Sequence, residues 1–298
     1  MSRSASARFK TITVVAFVAT LSVVAGFNTA FADDTAAAEH VPGFDISWPQ
    51  CDDQQFPPGP VAFAVIGLND GRPYTLNRCF AQQYRWAQRT SRNPAIYINV
   101  DFPRAGRAEA MDGPYGQCAE IDNWCRAYNW GYGIGRDAAA RVRAAGITPS
   151  MWWLDVEFGN YWSSERTLNA QVVRGVVDYM KEKRLPTGIY GTPYQWRLLA
   201  GSSYNPGVAI WTAGASGLEG ASRRCGDSYA FGGGHVQMVQ YETYGFDTNY
   251  ICPGTALHLS QLMNSYAFGA QGRTSRGLTT AAATNSLPFR VMVPGLSN

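Results

Sequence analysis

The sequence is short of charge and of the usual catalytic nucleophile machinery. Asp, Glu, Lys and Arg make up 16% of its 298 residues, and no block of like charge runs along the chain. Only three histidines occur, His40, His235 and His258, and none has a Ser or Cys partner at a recognisable spacing. With no G-x-S-x-G present either, an acyl-transfer hydrolase is excluded. The cysteines form no C-x-x-C pair, which with scattered histidines argues against structural zinc. Gly131-Tyr132-Gly133-Ile134-Gly135 is glycine-rich, but Arg136 occupies the sixth position of G-x-G-x-x-G and no clear strand precedes it. A nucleotide site is therefore not expected. Those glycines read as a turn before a helix over 135–145. The longest apolar run, about Ile12 to Phe27, is shorter than the roughly 20 residues a membrane-spanning helix needs.

That run explains itself as an export signal. Arg3, Arg8 and Lys10 precede it without an acid, and Ala30-Phe31-Ala32 follows as a small-x-small cleavage pattern. Residues 1–32 are thus expected to be a signal peptide and residues 33–40 a linker. The formal net charge of +3 resides in the signal, which leaves 22 bases against 22 acids. The basic balance consequently implies neither nucleic acid nor an anionic membrane as partner. All six cysteines, Cys51, Cys79, Cys118, Cys125, Cys225 and Cys252, lie beyond the signal. An even count in an exported chain predicts disulfides. Order along the chain suggests Cys51–Cys79, Cys118–Cys125 and Cys225–Cys252, among the 15 pairings six cysteines allow. The expected protein is secreted or wall-associated, monomeric, and has no span after cleavage.

What is abundant is apolar sequence, 46% of the chain. Short apolar runs recur at 43–47, 61–67, 95–100, 149–155, 187–191, 208–212 and 236–241, with a shorter one near Phe246. Such near-continuous apolarity suits parallel strands buried on both faces. Helices are predicted over 77–90, 135–145, 163–184 and 192–200. Eight strands with few helices predict an α/β fold, a modified and irregular TIM-like (β/α) barrel over 41–254, with an open doubly wound sheet as the rival. Residues 255–298 are a weaker C-terminal extension that packs on the domain or is partly disordered.

Acids recur at strand ends: Asp45, Asp101, Asp155 with Glu157, and Asp247. In a parallel barrel those ends share one face, where active sites form. Within Trp152-Trp153-Leu154-Asp155-Val156-Glu157, residues two apart face the same way, so Asp155 and Glu157 point together. Neighbouring, desolvated carboxylates cannot both ionise freely, and a raised pKa suits a general acid for a departing sugar oxygen. Glu157, with the longer side chain, is the expected acid. Trp48, Trp153, Tyr190, Trp211 and Tyr241 fall at or near strand ends and suit sugar faces, although each is also a plausible core residue.

Several of these segments together resemble the glycoside hydrolase family 25 muramidases. Gly43-Phe44-Asp45-Ile46-Ser47-Trp48-Pro49-Gln50 is similar to that family's opening G-x-D-x-S-x-x-Q, and Leu154-Asp155-Val156-Glu157 to its D-x-E strand. Gly188-Ile189-Tyr190-Gly191 and Ala209-Ile210-Trp211 resemble later barrel strands. Val239-Gln240-Tyr241 and Phe246-Asp247-Thr248-Asn249 resemble the closing Q-Y and D-x-N. The resemblance implies hydrolysis of the β-1,4 bond between N-acetylmuramic acid and N-acetylglucosamine in peptidoglycan, without cofactor or metal. By position, Glu157 would be the proton donor and Asp45, Asp155 and Asp247 the assisting carboxylates. Trp48, Trp153, Tyr190, Trp211, Tyr241 and Asp101 would bind substrate. A non-catalytic barrel that binds wall glycan is the alternative. The chain departs from the family's pattern in its long, cysteine-bearing segment between the second and fourth strands.

Overall fold

A computed structural model describes residues 41–52, 55–202 and 204–255. The expected signal peptide, the linker and residues 256–298 of the extension lie outside the described residues. The chain forms a closed barrel of eight strands with five α-helices among the described residues. In chain order the strands are β1 Gly43–Ile46, β2 Ala64–Gly67, β3 Ala95–Asn99, a small side hairpin β4 Asp112–Gly113 and β5 Gly116–Gln117, then β6 Trp152–Asp155, β7 Thr187–Gly191, β8 Ala209–Ala215, β9 Val236–Thr243 and β10 Phe246–Ile251. The helices are α1 Phe80–Ala87, α2 Asn123–Ala144, α3 Arg166–Glu182, α4 Pro193–Leu199 and α5 Gly217–Arg223. Around the barrel the order is β1-β10-β9-β8-β7-β6-β3-β2.

All eight barrel strands lie where apolar runs predict them, but one runs the other way. β10 is antiparallel to both β9 and β1. The reason is local: Tyr244 and Gly245 have φ of 54° and 73°, and two positive-φ residues between paired strands make the type I′ turn of a tight hairpin. The chain therefore closes the barrel by turning back rather than by a crossover helix.

The glycine-rich segment is not a turn. It lies inside α2, which starts at Asp122, whose carboxylate accepts from the Cys125 N–H at 3.0 Å. The helix ends in a Schellman motif, with Gly146 at φ 68° and Ile147 N–H donating to Val142 O at 3.1 Å. The glycines serve contact with α3. A Cβ on Gly131 would collide with the Val172 carbonyl, one on Gly175 with the Tyr128 carbonyl, and one on Gly135 would lie 2.8 Å from Tyr179 Cδ1. Glycine in a helix costs about 1 kcal/mol relative to Ala, here offset by close packing of two helices. Local composition alone does not reveal that, so the sequence places the helix start twelve residues too late. α5, short and rich in small residues, has no predicted counterpart.

Alternation along the strands separates two apolar clusters. Phe44, Ile46, Ile66, Ile98, Leu154 and Ile189 pack with helical residues such as Trp86, Ala138 and Val176, so they face outward to the helix layer. Phe63, Val65, Ala95, Trp153, Trp211 and Met238 cluster with no helix residue, so they fill the barrel interior. The disulfides are the three pairs chain order suggests, with Cα–Cα distances of 5.8, 5.7 and 5.4 Å, within the usual range. Among the described residues no helix is long and apolar enough to cross a membrane.

Candidate active site

Interior positions change character along the barrel axis. At one end they are Phe63, Val65, Ala95 and Trp153; at the other they are Asp45, Asn99, Asp155 and Asn249, all buried, with Gln240 half-buried. Strand period explains this. Asp155 lies two residues beyond Trp153, Gln240 two beyond Met238, and Asn249 two before Ile251, so each shares its neighbour's inward face. An open cavity of about 340 Å³ tops this polar layer, lined by Asp45, Tyr97, Asp155, Glu157, Tyr190, Trp211, Gln240 and Asp247. The four expected catalytic carboxylates thus share one cleft, although β1 and β10 are nearly 200 residues apart in sequence.

Register brings them close. Asp45 is the cross-strand partner of Asp247, and Asp155 the partner of Asn99 and of Tyr190. Asp247 reaches this face as the second residue of an antiparallel strand, not at the C-terminal end of a parallel one. The hairpin supplies the same end of the barrel by the opposite chain direction.

Two carboxylates are clamped by amides. Asp45 accepts from Asn249 Nδ2 at 2.6 Å and from Gln240 Nε2 at 3.2 Å. Gln240 is itself oriented by Tyr190, whose hydroxyl donates to Oε1 at 2.7 Å. Asp155 accepts from Asn99 Nδ2 at 2.6 Å and from Asn160 Nδ2 at 3.4 Å. Glu157 stands just past β6, half-buried; its main-chain carbonyl is fixed by Trp162 Nε1 at 2.8 Å, leaving the side chain to the cleft.

Electrostatics favour shared protons. Burial pushes Asp45 well above the usual carboxylate range, Asp247 and Glu157 push it further, and the two amides oppose the shift. Asp155 is raised well above that range by burial, then by Glu157, against Asn160 and Asn99. Glu157 is raised by burial and by Asp247, and Asp247 by burial and by Glu242. Burial and mutual repulsion thus make it costly for all four to carry charge together. Among the described residues no group of three His, Cys, Asp or Glu side chains is placed to hold a metal ion.

The expected aromatic set divides. Tyr190 and Trp211 line the cleft. Trp153 faces the same way but is completely buried one layer deeper, its ring 5.6 Å from that of Trp211. Tyr241 has the opposite parity and packs in the outer layer. Trp48 does not line the cleft; it sits in the 3₁₀ turn after β1, 43% exposed. Asp101 is also outside the cleft lining, buried and bonded to Trp130 Nε1 at 3.3 Å. Its carboxyl is pushed up to about 6 by burial, against the Trp130 bond and the charges of Arg104, Arg107 and Arg72. Trp153, Tyr241 and Asp101 are therefore removed from direct contact with a cleft ligand. Sequence reading missed Tyr97, Asn99 and Asn160, and gave no role to Gln240 and Asn249, although the Q-Y and D-x-N motifs contain them. Inward parity from Ala95 would have found Tyr97 and Asn99, and that from Met238 would have found Gln240.

Residues 125–240 match a family model described as Lysozyme-like protein 1. Across that stretch, less than half of the chain, the sequence is similar to that family. The matched stretch includes Asp155 and Glu157 and stops at Gln240, before Asp247. No curated protein matches the chain. Among solved structures, it is similar to a family GH25 lysozyme from Aspergillus fumigatus, at 14% identity over 76% of this chain and 99% of that one, with a TM-score of 0.47. It is similar to the Cpl-1 endolysin complexed with a peptidoglycan analogue, at 15% identity over 70% and 53% of the two chains, TM-score 0.41. A pneumococcal cell wall endolysin from phage Cp-1 complexed with choline matches at 14% over 71% and 54%, TM-score 0.42. The barrel described above rests on its own strand order and register.

Proposed function

We propose that this protein is a secreted glycoside hydrolase that cleaves the β-1,4 bond between N-acetylmuramic acid and N-acetylglucosamine in peptidoglycan. One observation carries the reading: four carboxylates from three separate parts of the sequence line a single cleft with Tyr97, Tyr190 and Trp211. Glycosidases work with paired carboxylates and an oxocarbenium-like transition state. Glu157 is the general acid. Burial and the charge of Asp247 favour its protonated form, and its place just past the end of β6, lining the cleft, lets it reach a leaving oxygen. Asp155, held in place by Asn99 and Asn160, stabilises the positive charge that develops on the sugar ring or orients water. Asp45 and Asp247 complete the negative wall of the cleft.

The surroundings suit a polymer. Phe158 and Tyr194 follow β6 and β7 and meet edge to face with centroids 5.8 Å apart. Tyr244, at the β9–β10 turn, is 79% exposed. Exposed rings on this face offer flat surfaces to successive sugars.

The test compares the mature, disulfide-bonded chain with Glu157→Gln on isolated cell walls, reading released reducing ends. Release by the first and not by the second supports hydrolysis. Binding by both without release by either overturns it in favour of a glycan-binding barrel.

A further inference from the structure

Beside the acidic cleft the same face of the barrel carries a second cavity, and its chemistry is the opposite. It is open to solvent, has a volume of about 490 Å³, and is lined by Phe102, Pro103, Ala105, Asn123, Arg126 and Tyr161. Phe102 to Ala105 belong to the loop leaving β3, and Tyr161 to the loop leaving β6, which also holds Glu157. The loops are joined where Phe102 N–H donates to Tyr161 O at 2.7 Å. The floor comes from the first turn of α2, pinned by the Cys118–Cys125 disulfide.

Arg126 lines this cavity and Arg104 flanks it on the Tyr161 ring, and neither has an ion pair among the described residues. Arg104 is exposed and stacks over the Tyr161 ring at 4.4 Å. Arg126 donates from Nη1 to Glu120 O at 2.9 Å and to Asn123 Oδ1 at 3.4 Å, while its buried Nε has no partner. Of the neighbouring acids, Asp122 caps α2 through the Cys125 N–H, Asp101 is buried against Trp130, and Glu120, exposed, meets Arg126 through its main-chain oxygen. The exposed Arg104 guanidinium presents a planar, charge-assisted donor set for a carboxylate, and Arg126, with Nη1 engaged and Nε buried, adds positive charge to the wall. The other walls are a ring, a proline, an alanine and a side-chain amide. Together they match a short chain with aliphatic side groups, amide bonds and a free carboxylate.

We infer that this cavity, with Arg104 and Arg126 as its anion-binding groups, holds the acidic peptide attached to the glycan strand in the neighbouring cleft. The inference rests on the peptidoglycan reading above and extends it from the sugar backbone to the peptide branch. The glycan cleft would set where the chain is cut; the second cavity would favour strands that still carry peptide.

The experiment separates the two readings. A synthetic pentapeptide with a glutamate and a free C-terminal carboxylate is titrated into the disulfide-bonded protein by calorimetry, alongside its fully amidated counterpart and inorganic phosphate. The acidic peptide should bind about tenfold more tightly than the amidated one, since a charged hydrogen bond contributes roughly that much. Arg104→Gln and Arg126→Gln should each abolish the difference, and Arg104→Lys should restore part of it. On walls, the wild type should have a several-fold lower KM for intact material than for amidase-stripped glycan, and Arg104→Gln should lose that ratio. Equal binding of the two peptides, Arg104-dependent binding of phosphate without the acidic peptide, or an unchanged ratio in Arg104→Gln overturns the inference. Arg104 is exposed, so its substitution is read on folded protein. Should no wall be cut at all, the glycosidase reading fails, while the peptide titration still reads this cavity.

Discussion

The two clamped carboxylates and the two free ones occupy the same cleft under different physical regimes. Asp45 and Asp155 lie on β1 and β6, are 6% and 4% exposed, and each accepts from two side-chain amides. Glu157 and Asp247 stand at the rim, with no side-chain hydrogen bond among the described residues. Burial raises the proton affinity of all four, but only the inner pair has amide donors that favour the ionised form against it. Position is therefore fixed at the floor and free at the rim. A group that must reach a leaving oxygen belongs to the rim; a group that must face a developing cation without moving belongs to the floor.

This contrast can be broken in order of effect. Glu157→Gln should lower wall hydrolysis by about 10³-fold, within the range for loss of a general acid, with wall binding kept; reducing-end assays and sedimentation binding measure the two. A mere tenfold loss would mean that the rim acid is not the proton donor. Asp155→Asn should lower hydrolysis by about 10²-fold and raise thermal stability. The sign follows from proton linkage. Asp155 has a higher proton affinity folded than unfolded, so the folded state binds more protons, and stability falls as pH rises past the unfolded value of about 3.9. The amide cannot ionise, so the gain in Tm should be present at pH 7 and vanish as pH approaches about 3; a variant less stable than wild type at pH 7 would contradict the burial argument. Asn99→Ala, which removes the 2.6 Å donor to Asp155, should cost roughly tenfold in kcat/KM. It should also move the acid limb of the pH profile upward, because the ionised carboxylate loses support. Tyr190→Phe should have the smallest effect, a few-fold, by loosening Gln240 above Asp45.

Much of this was legible before the fold was known, and the exceptions have physical causes. Eight apolar runs become eight barrel strands because strands buried on both faces must be apolar along their length. Asp155 and Glu157 share the cleft because a two-residue period holds just past the strand end. Depth along the barrel axis is invisible to that period: Trp153 and Asp155 have the same parity, yet one is core and one is cleft. The amides were hidden for another reason. Asn99, Gln240 and Asn249 are unremarkable residue types until register sets them opposite a buried acid. Gly131, Gly133 and Gly135 misled because glycine serves both turns and close contact, and only the partners, α3 for Gly131 and Gly135 and Tyr74 for Gly133, decide which.

The β9–β10 turn has a consequence for how this protein can change. Its two residues fix a register in which Asp247 stands opposite Asp45. A strand displaced by one residue presents its other face, so a single inserted codon at Tyr244-Gly245 would exchange Asp247 for Phe246 or Thr248 at the cleft wall. The long loop after β3 can lengthen beyond Asp101 without disturbing a cleft carboxylate, whereas the loop after β6 can do so only beyond Asn160. Insertions and deletions should therefore be free to accumulate around substrate recognition, and be barred from the one turn that closes the barrel.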